Sequence, residues 1–167
     1  LQDAYILVTN ENDVAGETVS RTFRVFSLSK RHMDTGNNFE TYVINFCSEE
    51  LFISEQYRIS KSYKKKKISE IIDDVVKTFL GVGNGVGKNF YYEETTGVYD
   101  FILPNKKIFE TLNWLANYAI PSKYPNGADI LFFENRMGFF FTSLQHLFNT
   151  GSVISYAYNP KNVTNDM

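Results

Sequence analysis

The stretch that decides the fold is ISEIIDDVVKTFLGVGNGVGKNFYY, residues 68–92. Its apolar residues recur at i, i+3, i+4, i+7, i+8, i+11 and i+12, which predicts an amphipathic helix over residues 68–80. Acidic residues lie toward its start and Lys77 toward its end, as the helix dipole favours. Gly81 stands where a C-terminal glycine cap belongs, so the helix is expected to end there.

The glycine-rich segment that follows, GVGNGVGK at 81–88, raises the question of a phosphate site. A phosphate-binding loop follows a strand and opens a helix, because its N–H groups and the helix N-terminus surround the anion. Here the loop follows a helix and leads into the strand-like residues 89–96. The Walker pattern also fails, since Val82 replaces its first glycine and Asn89 follows Lys88 in place of Ser or Thr. We interpret the segment as a connector.

Alternating residues before this helix predict a long hairpin. The strands are RTFRVFSLSK at 21–30 and FETYVINFC at 39–47, joined through the turn-forming residues MDTGNN at 33–38. One face of the second strand carries Tyr42, Ile44 and Phe46. A two-stranded ribbon of this length needs a further layer to pack on.

A second helix and a second hairpin are expected downstream. The pattern of KKIFETLNWLANYA at 106–119 is amphipathic, with Pro104 and Asn105 as stop and N-cap and Trp114 as an anchor against a sheet. DILFFENRMGFFFTSL at 129–144 predicts two strands folded at ENRMG. The fold class expected is therefore α+β.

Composition excludes several kinds of protein. Hydrophobic residues make up 43% and aromatic residues 16% of 167 residues, which indicates a folded chain of one or two units. A net charge of −2 gives no general footprint for DNA or an anionic membrane. Cys47 has no second cysteine with which to form a disulfide, and its spacing to His32 and His146 matches no zinc site. We expect no metal and no cofactor.

The basic run KSYKKKK at 61–67 has two interpretations. Ammonium groups beside a tyrosine can hold phosphate and stack a base, which would suit a nucleic-acid-binding β-barrel protein. The interpretation we favour is a solvated turn. A salt-bridging patch toward a partner subunit is a further interpretation. The lysines of this candidate patch are Lys64, Lys65, Lys66 and Lys67.

Adjacent carboxylates and the histidines do not form a catalytic pattern in the sequence. The acidic pairs are Glu49 with Glu50, Asp73 with Asp74, and Glu93 with Glu94. Neighbours on a strand point to opposite faces, whereas glycoside hydrolysis needs two carboxylates facing each other across a cleft. We therefore expect no enzyme; a cell-wall hydrolase using Glu49 or Glu94 is a further hypothesis.

The Phe-rich hairpin leaves two possibilities open. FFENRMGFFF at 132–141 places large rings on both faces of the hairpin, so one face must contact either a second core layer or another chain.

Four segments together resemble the baseplate central hub protein of contractile-tailed phages and, more distantly, the hub region of type VI secretion spike proteins and the phage late control D group. They are YVINFCSEEL, RISKSYKKKKISEIIDDVVKTFL, ETTGVYDFILPNKKIFETLNWLANYA and ADILFFENRMGFFFTSLQHLF. The resemblance covers residues 20–148 and consists of packing patterns.

The resemblance implies small antiparallel β-barrel elements of the tube type with a helix-containing lobe that carries two amphipathic helices. It implies a homotrimeric ring in the virion tail baseplate, assembled in the host cytoplasm, that binds the tail tube, the central spike and wedge proteins. DNA would pass through without specific readout. We expect the partner interface to include Tyr42, Ile44, Phe46, Glu49, Glu50, Phe139 and Phe141.

The expected organisation has three parts. Residues 1–60 would form the tube-barrel part, and residues 61–148 the α+β lobe with two helices and a hairpin. Residues 149–167 would supply a strand that returns to the barrel, from GSVISYAYNP, and a polar tail.

Overall fold

A computed structural model describes residues 4–10, 19–34, 39–85, 87–127 and 129–151, and shows a mixed α+β fold. The helices are α1 (Glu49–Gln56), α2 (Ile68–Val75), α3 (Ile108–Ala116) and α4 (Leu144–Asn149). The strands are β1 (Tyr5–Asn10), β2 (Val19–Asp34), β3 (Phe39–Cys47), β4 (Arg58–Ile59), β5 (Ser62–Lys66), β6 (Asn89–Tyr92), β7 (Tyr99–Ile102), β8 (Lys106–Lys107), β9 (Ile130–Asn135) and β10 (Gly138–Ser143).

The first sheet confirms the predicted hairpin and adds one strand to it. β2 and β3 pair antiparallel, and β1, which the sequence did not predict, pairs with the other side of β2. Two bulges interrupt β2, one at Phe26 and one between Ser29 and His32, where Lys30 adopts a φ of 51°. Residues 35–38, which contain most of the predicted turn, lie outside the described residues.

The lobe that follows has its own hydrophobic core. The predicted helix over 68–80 is confirmed as α2 continued by a π-helical segment, Val76–Leu80. Most of its apolar stripe is buried, and α3 lies against it. Gly81 caps the end at a φ of 70°, a left-handed conformation that suits glycine.

The start of α3 differs from the prediction. Asn105 is not the N-cap: it adopts a φ of 51°, and the helix begins at Ile108 with Lys107 as its N-cap. The reason is that Lys106 and Lys107 first pair with Ile59 and Arg58 as a short ladder. Propensity at residues 104–105 could not reveal this tertiary pairing, which delays the helix by two residues.

The predicted second hairpin is confirmed as β9 and β10, and β6 pairs parallel with β10 to complete a three-stranded sheet. Trp114 of α3 packs edge-on against Phe101 of β7, as an anchor against a small sheet. The basic run is a strand, β5, paired with β7, where a turn was expected.

Two further helices, the eight-residue α1 and the six-residue α4, add to the two that the sequence predicted. The division into parts at residues 60 and 148 stays a prediction. Most of the third part, residues 152–167, lies outside the described residues.

Because Phe141 is completely buried beside the lobe helices, Phe141→Ala should lower the free energy of unfolding by about 3–5 kcal/mol. Phe148→Ala is the matched control: its ring is 78% exposed, and the change should stay within about 0.5 kcal/mol. Urea denaturation followed by circular dichroism measures both. Equal losses in the two variants would contradict this assignment of the core.

Candidate assembly interface

One face of the sheet of β1, β2 and β3 carries a row of apolar side chains. Directly paired residues of an antiparallel ladder point to the same side, as Val25 and Phe46 do, and the ring of Phe46 also lies 5.2 Å from that of Phe23, two residues before Val25 on β2. We call the resulting surface the apolar sheet face. Its apolar members, from the observed register, are Ile6, Val8, Phe23, Val25, Leu28, Tyr42, Ile44 and Phe46. Arg21, the partner of Val8, lies on the same side and donates to the carbonyl of Arg136 in the lobe.

Much of this face is exposed. Leu28 is 48%, Tyr42 54% and Phe46 43% exposed, and Val25 is buried. None of the eight side chains belongs to or packs on the hydrophobic core of the lobe within the described residues. A contiguous apolar surface of this kind gains roughly 25 cal/mol for each Å² removed from water, so it favours a covering partner.

The opposite face of the same sheet is polar along its middle. Asn45 Nδ2 donates to the hydroxyls of Ser27 and Ser29 at 2.9 and 3.2 Å, and Thr9 and Ser20 share a hydrogen bond across β1 and β2. The same side also carries exposed apolar residues toward its ends: Tyr5, Leu7, Phe39 and Val43. The two sides therefore differ mainly along the middle of the sheet, and the predicted residues 42, 44 and 46 lie on the apolar sheet face.

The edge strands of this sheet have backbone groups that can form hydrogen bonds with a further strand. Among the residues that the structure describes, β1 and β3 each pair with β2 alone. The outer N–H and C=O groups of such strands can accept a strand from another chain.

Glu49 and Glu50, which are predicted interface residues, both form ion pairs within the chain. Glu49 accepts from Arg24 Nη1 at 3.1 Å, and the Arg24 guanidinium lies 3.6 Å from the centre of the Phe52 ring. Glu50 pairs with Lys88 Nζ at 2.6 Å, and both side chains are nearly buried. These contacts fix α1 against β2 and the lobe. A role of the two acids at a partner interface stays a prediction.

The contacts of Lys88, at the end of the glycine-rich segment 81–88, bear on whether this segment binds phosphate. Its ammonium group lies between Glu50 and Glu134, and its side chain is 12% exposed. A lysine whose charge is already balanced by two carboxylates is a poor ligand for phosphate. The connector interpretation of the loop is consistent with this contact.

Phe139 and Phe141 are corrected as interface residues. They are 1% and 0% exposed and belong to the core of the lobe, so they have no surface left for a partner. Alternation along β10 places Phe140 on the other side, and sequence alone did not reveal which of the consecutive rings faced inward.

That other side carries a row of stacked rings. Tyr91 of β6 stacks on Phe140 at 4.9 Å between ring centres, and Phe140 stacks on Phe133 of β9 at 5.4 Å. We call these three rings the aromatic ladder; none of them packs on the core. Tyr91 and the nearby Leu131 are each 42% exposed. The phenylalanines were visible in the sequence as a cluster, but Tyr91 was not linked to them, because its neighbours come from a parallel pairing distant in sequence.

A groove of about 500 Å³ adjoins the ladder, lined by Tyr91, Phe140, Glu93, Glu94, Lys123 and His146 among others. Glu93 Oε2 accepts from Ser143 N at 2.9 Å and from Ser143 Oγ at 2.8 Å, and the same hydroxyl accepts from His146 N. The carboxylate thus holds the serine that caps α4. The Ser143 proton points to Glu93, an arrangement that stabilises a helix start.

The basic patch is largely paired inside the chain. Lys66 lies 3.5 Å from Glu70, and Lys67 pairs with Glu94 at 2.5 Å. The backbone N–H of Lys65 donates to Asp100. Lys64 has an exposed side chain without an ion-pair partner among the described residues. Much of the positive charge expected to attract phosphate is therefore compensated locally.

Other reactive groups are dispersed. Burial and the charge of Glu49 raise the pKa of the Cys47 thiol, so it stays protonated at neutral pH. His32 lies on β2 and His146 on α4. Within the described ranges no cluster of three His, Cys, Asp or Glu side chains could hold a metal ion.

No helix in the part of the chain that the structure describes is long and apolar enough to cross a membrane.

Comparison with protein-family models finds no match to this chain, and comparison with curated proteins finds none either.

Replacing Lys88 by methionine should lower the free energy of unfolding by about 2 kcal/mol, because two partly buried carboxylates would lose their cation. Lys64→Met is the control with the same change in charge, expected within about 0.5 kcal/mol. Chemical denaturation distinguishes them. A stable Lys88→Met protein that has lost phosphate binding would mean that Lys88 is a ligand instead.

The carboxyl group of Asp74 is predicted to make the stability of the protein depend on pH. Burial alone would raise the pKa of its carboxyl, but hydrogen bonds from Lys61 and Tyr63 outweigh burial and hold the pKa below its ordinary value. A lowered pKa in the folded state stabilises the protein above the unfolded pKa, and this is lost as pH falls through the folded pKa.

Asp74→Asn should therefore cost about 1 kcal/mol at pH 7, a size limited by solvent screening of a partly exposed group, and progressively less below about pH 4. Thermal unfolding across this pH range measures the effect. The exposed Asp129→Asn should show no such trend. A cost for Asp74→Asn that does not change with pH would contradict the role assigned to the charge.

Proposed function

We propose that this chain is a structural hub of a phage tail baseplate. It forms a homotrimeric ring that joins the tail tube to the central spike, contacts the wedge proteins and lets DNA pass without reading it. Its place is the baseplate of the virion tail. The role is one of assembly, and the chain's contribution is binding surface in place of catalysis.

The observation that carries the proposal is the uncovered apolar sheet face. The three-stranded sheet exposes Leu28, Tyr42 and Phe46 on a face that a second layer would normally cover. Its outer strands β1 and β3 each have one edge whose backbone groups can pair with a further strand. In the finer proposal, strands from neighbouring chains or from the rest of this polypeptide complete it as a small antiparallel β-barrel of the tube type. The sequence resemblance to phage hub proteins supports the same function.

The alternative function, a nucleic-acid-binding β-barrel, has less support. Its phosphate contacts were to come from Lys64 to Lys67, and Lys66 and Lys67 are occupied by Glu70 and Glu94. A single-strand site also needs exposed ring faces, and the rings of the aromatic ladder already cover one another's faces.

The proposal predicts a trimer whose formation depends on the apolar sheet face. Leu28→Glu should shift the mass measured by light scattering from trimer to monomer and raise the dissociation constant at least ~100-fold, since a charge would have to be buried. Val43→Glu is the matched control: Val43 is 44% exposed on the opposite side of the same sheet, and the change should leave the trimer intact.

A wild-type chain that stays monomeric up to high micromolar concentration, and that binds neither tube nor spike protein, would overturn the proposed function. Loss of the trimer in both variants would show that the sheet as a whole, and not one face, is responsible.

A further inference from the structure

The glycine-rich segment 81–88 connects the π-helical end of α2 to β6 and contains an Asn-Gly pair, Asn84 with Gly85. Asparagine is among the thermolabile residues of proteins. Its lability is greatest before glycine, because a residue without a side chain leaves its backbone nitrogen open to the neighbouring amide carbon. A second such pair, Asn126 with Gly127, lies in the connection between α3 and β9. The chain therefore carries two chemically equal pairs in two different local structures.

The second pair is held by its surroundings. Gly127 N donates to Tyr124 O at 2.9 Å and thereby closes a turn. A Cβ on Gly127 would lie 3.2 Å from the Cβ of Gln145, so the backbone is packed closely at this point. To attack the side chain of Asn126, the glycine nitrogen would have to give up its hydrogen bond and turn within this packed site. The local structure therefore protects Asn126.

The first pair is held less tightly. Among the residues that the structure describes, Gly85 N donates to no backbone carbonyl, and a Cβ on Gly85 would meet no atom within 4 Å. Asn84 is exposed to water. Its Nδ2 donates to Lys77 O at 3.2 Å, and a single exposed hydrogen bond is a weak restraint. The nitrogen of Gly85 and the side chain of Asn84 therefore have room to approach each other.

We propose that Asn84 is a site of spontaneous deamidation in the folded protein, with water as the only co-reactant. Gly85 N attacks Cγ of Asn84, the new N–C bond closes a succinimide ring, and Nδ2 leaves as ammonia with the proton of Gly85 N. Water then opens the ring at either carbonyl, which leaves aspartate or isoaspartate and one additional negative charge. No electron is gained or lost. The reaction needs only this chain, whatever the chain assembles with.

The amide that is lost has a structural role. Lys77 lies in the last turn of the helix, where the final carbonyl groups have no partner within the helix. Asn84 Nδ2 supplies a donor to one of them. A carboxylate cannot donate, and its charge would lie at the negative end of the helix dipole. Isoaspartate would also lengthen the backbone inside the loop that the hydrogen bond from Gly83 N to Lys88 O closes. Deamidation therefore weakens the helix end and the segment that carries Lys88.

Peptide mass spectrometry of aged protein tests the proposal. The folded protein is incubated at mildly alkaline pH and elevated temperature, and a parallel sample is incubated in urea. Trypsin then releases residues 78–88 and residues 124–136 as separate peptides. In the folded protein, the first peptide should acquire the mass shift of deamidation severalfold faster than the second. In urea the two rates should become similar, because both pairs are Asn-Gly and only the folded structure distinguishes them.

Substitutions at the two asparagines provide the controls. Asn84→Gln keeps an amide that cyclises far more slowly, through a larger ring, so the peptide 78–88 should stay unmodified. Asn84→Asp reproduces one product and should lower the melting temperature by a few degrees, whereas Asn126→Asp should lower it less. Equal rates for the two peptides in the folded protein, or an Asn84 peptide that changes only in urea, would overturn the proposal. An unchanged melting temperature for Asn84→Asp would overturn the capping role of the amide.

Discussion

The structure depends on the burial of apolar surface, which is far more complete in the lobe than in the three-stranded sheet. The lobe buries the stripes of α2 and α3 together with Phe139 and Phe141, and its core is closed. The three-stranded sheet buries Val25 and leaves Leu28 and Tyr42 half exposed. A further layer over these side chains would remove more apolar surface from water and add stability to the sheet. The core of the lobe is complete, whereas the sheet leaves large apolar side chains exposed.

Ion pairs contribute to the connection between these two parts. Arg24 reaches from the sheet to Glu49 of α1, and Lys88 reaches from the glycine loop to Glu50 and Glu134. Ion pairs with nearly buried members are directional, because a shift of either partner leaves a charge without compensation. These pairs therefore favour one orientation of the sheet relative to the lobe. In the proposed ring, that orientation would set the direction in which the sheet meets its neighbour.

The parts of the fold that the sequence predicted are those with long periodic signals. The helix over 68–80, its glycine cap and both hairpins came from spacing that local physics enforces. The failures came from tertiary contacts: the pairing of residues 106–107 moved the start of α3, and the pairing of β5 with β7 turned a basic run into a strand. For the apolar sheet face, alternation along β3 predicted correctly that Tyr42, Ile44 and Phe46 share one side. Their companions Ile6 and Phe23 depend on the register of β1, which one strand in isolation does not reveal.

Side chains alternate along β10, so the register of this strand decides which of its three phenylalanines are buried. The sequence alone leaves that choice open. Shifting the strand by one residue would bury Phe140 and expose both Phe139 and Phe141, with the same composition. Gly138 fixes the choice: its φ is 142°, and a Cβ on this residue would collide with the backbone of Asn89, so no side chain fits. Glycine at this position therefore lets β6 approach β10, and that approach brings Tyr91 onto Phe140. Gly138 thus allows both the burial of Phe139 and Phe141 in the core and the stacking of Tyr91 on Phe140. A variant that keeps the core of the lobe is therefore expected to keep the aromatic ladder as well.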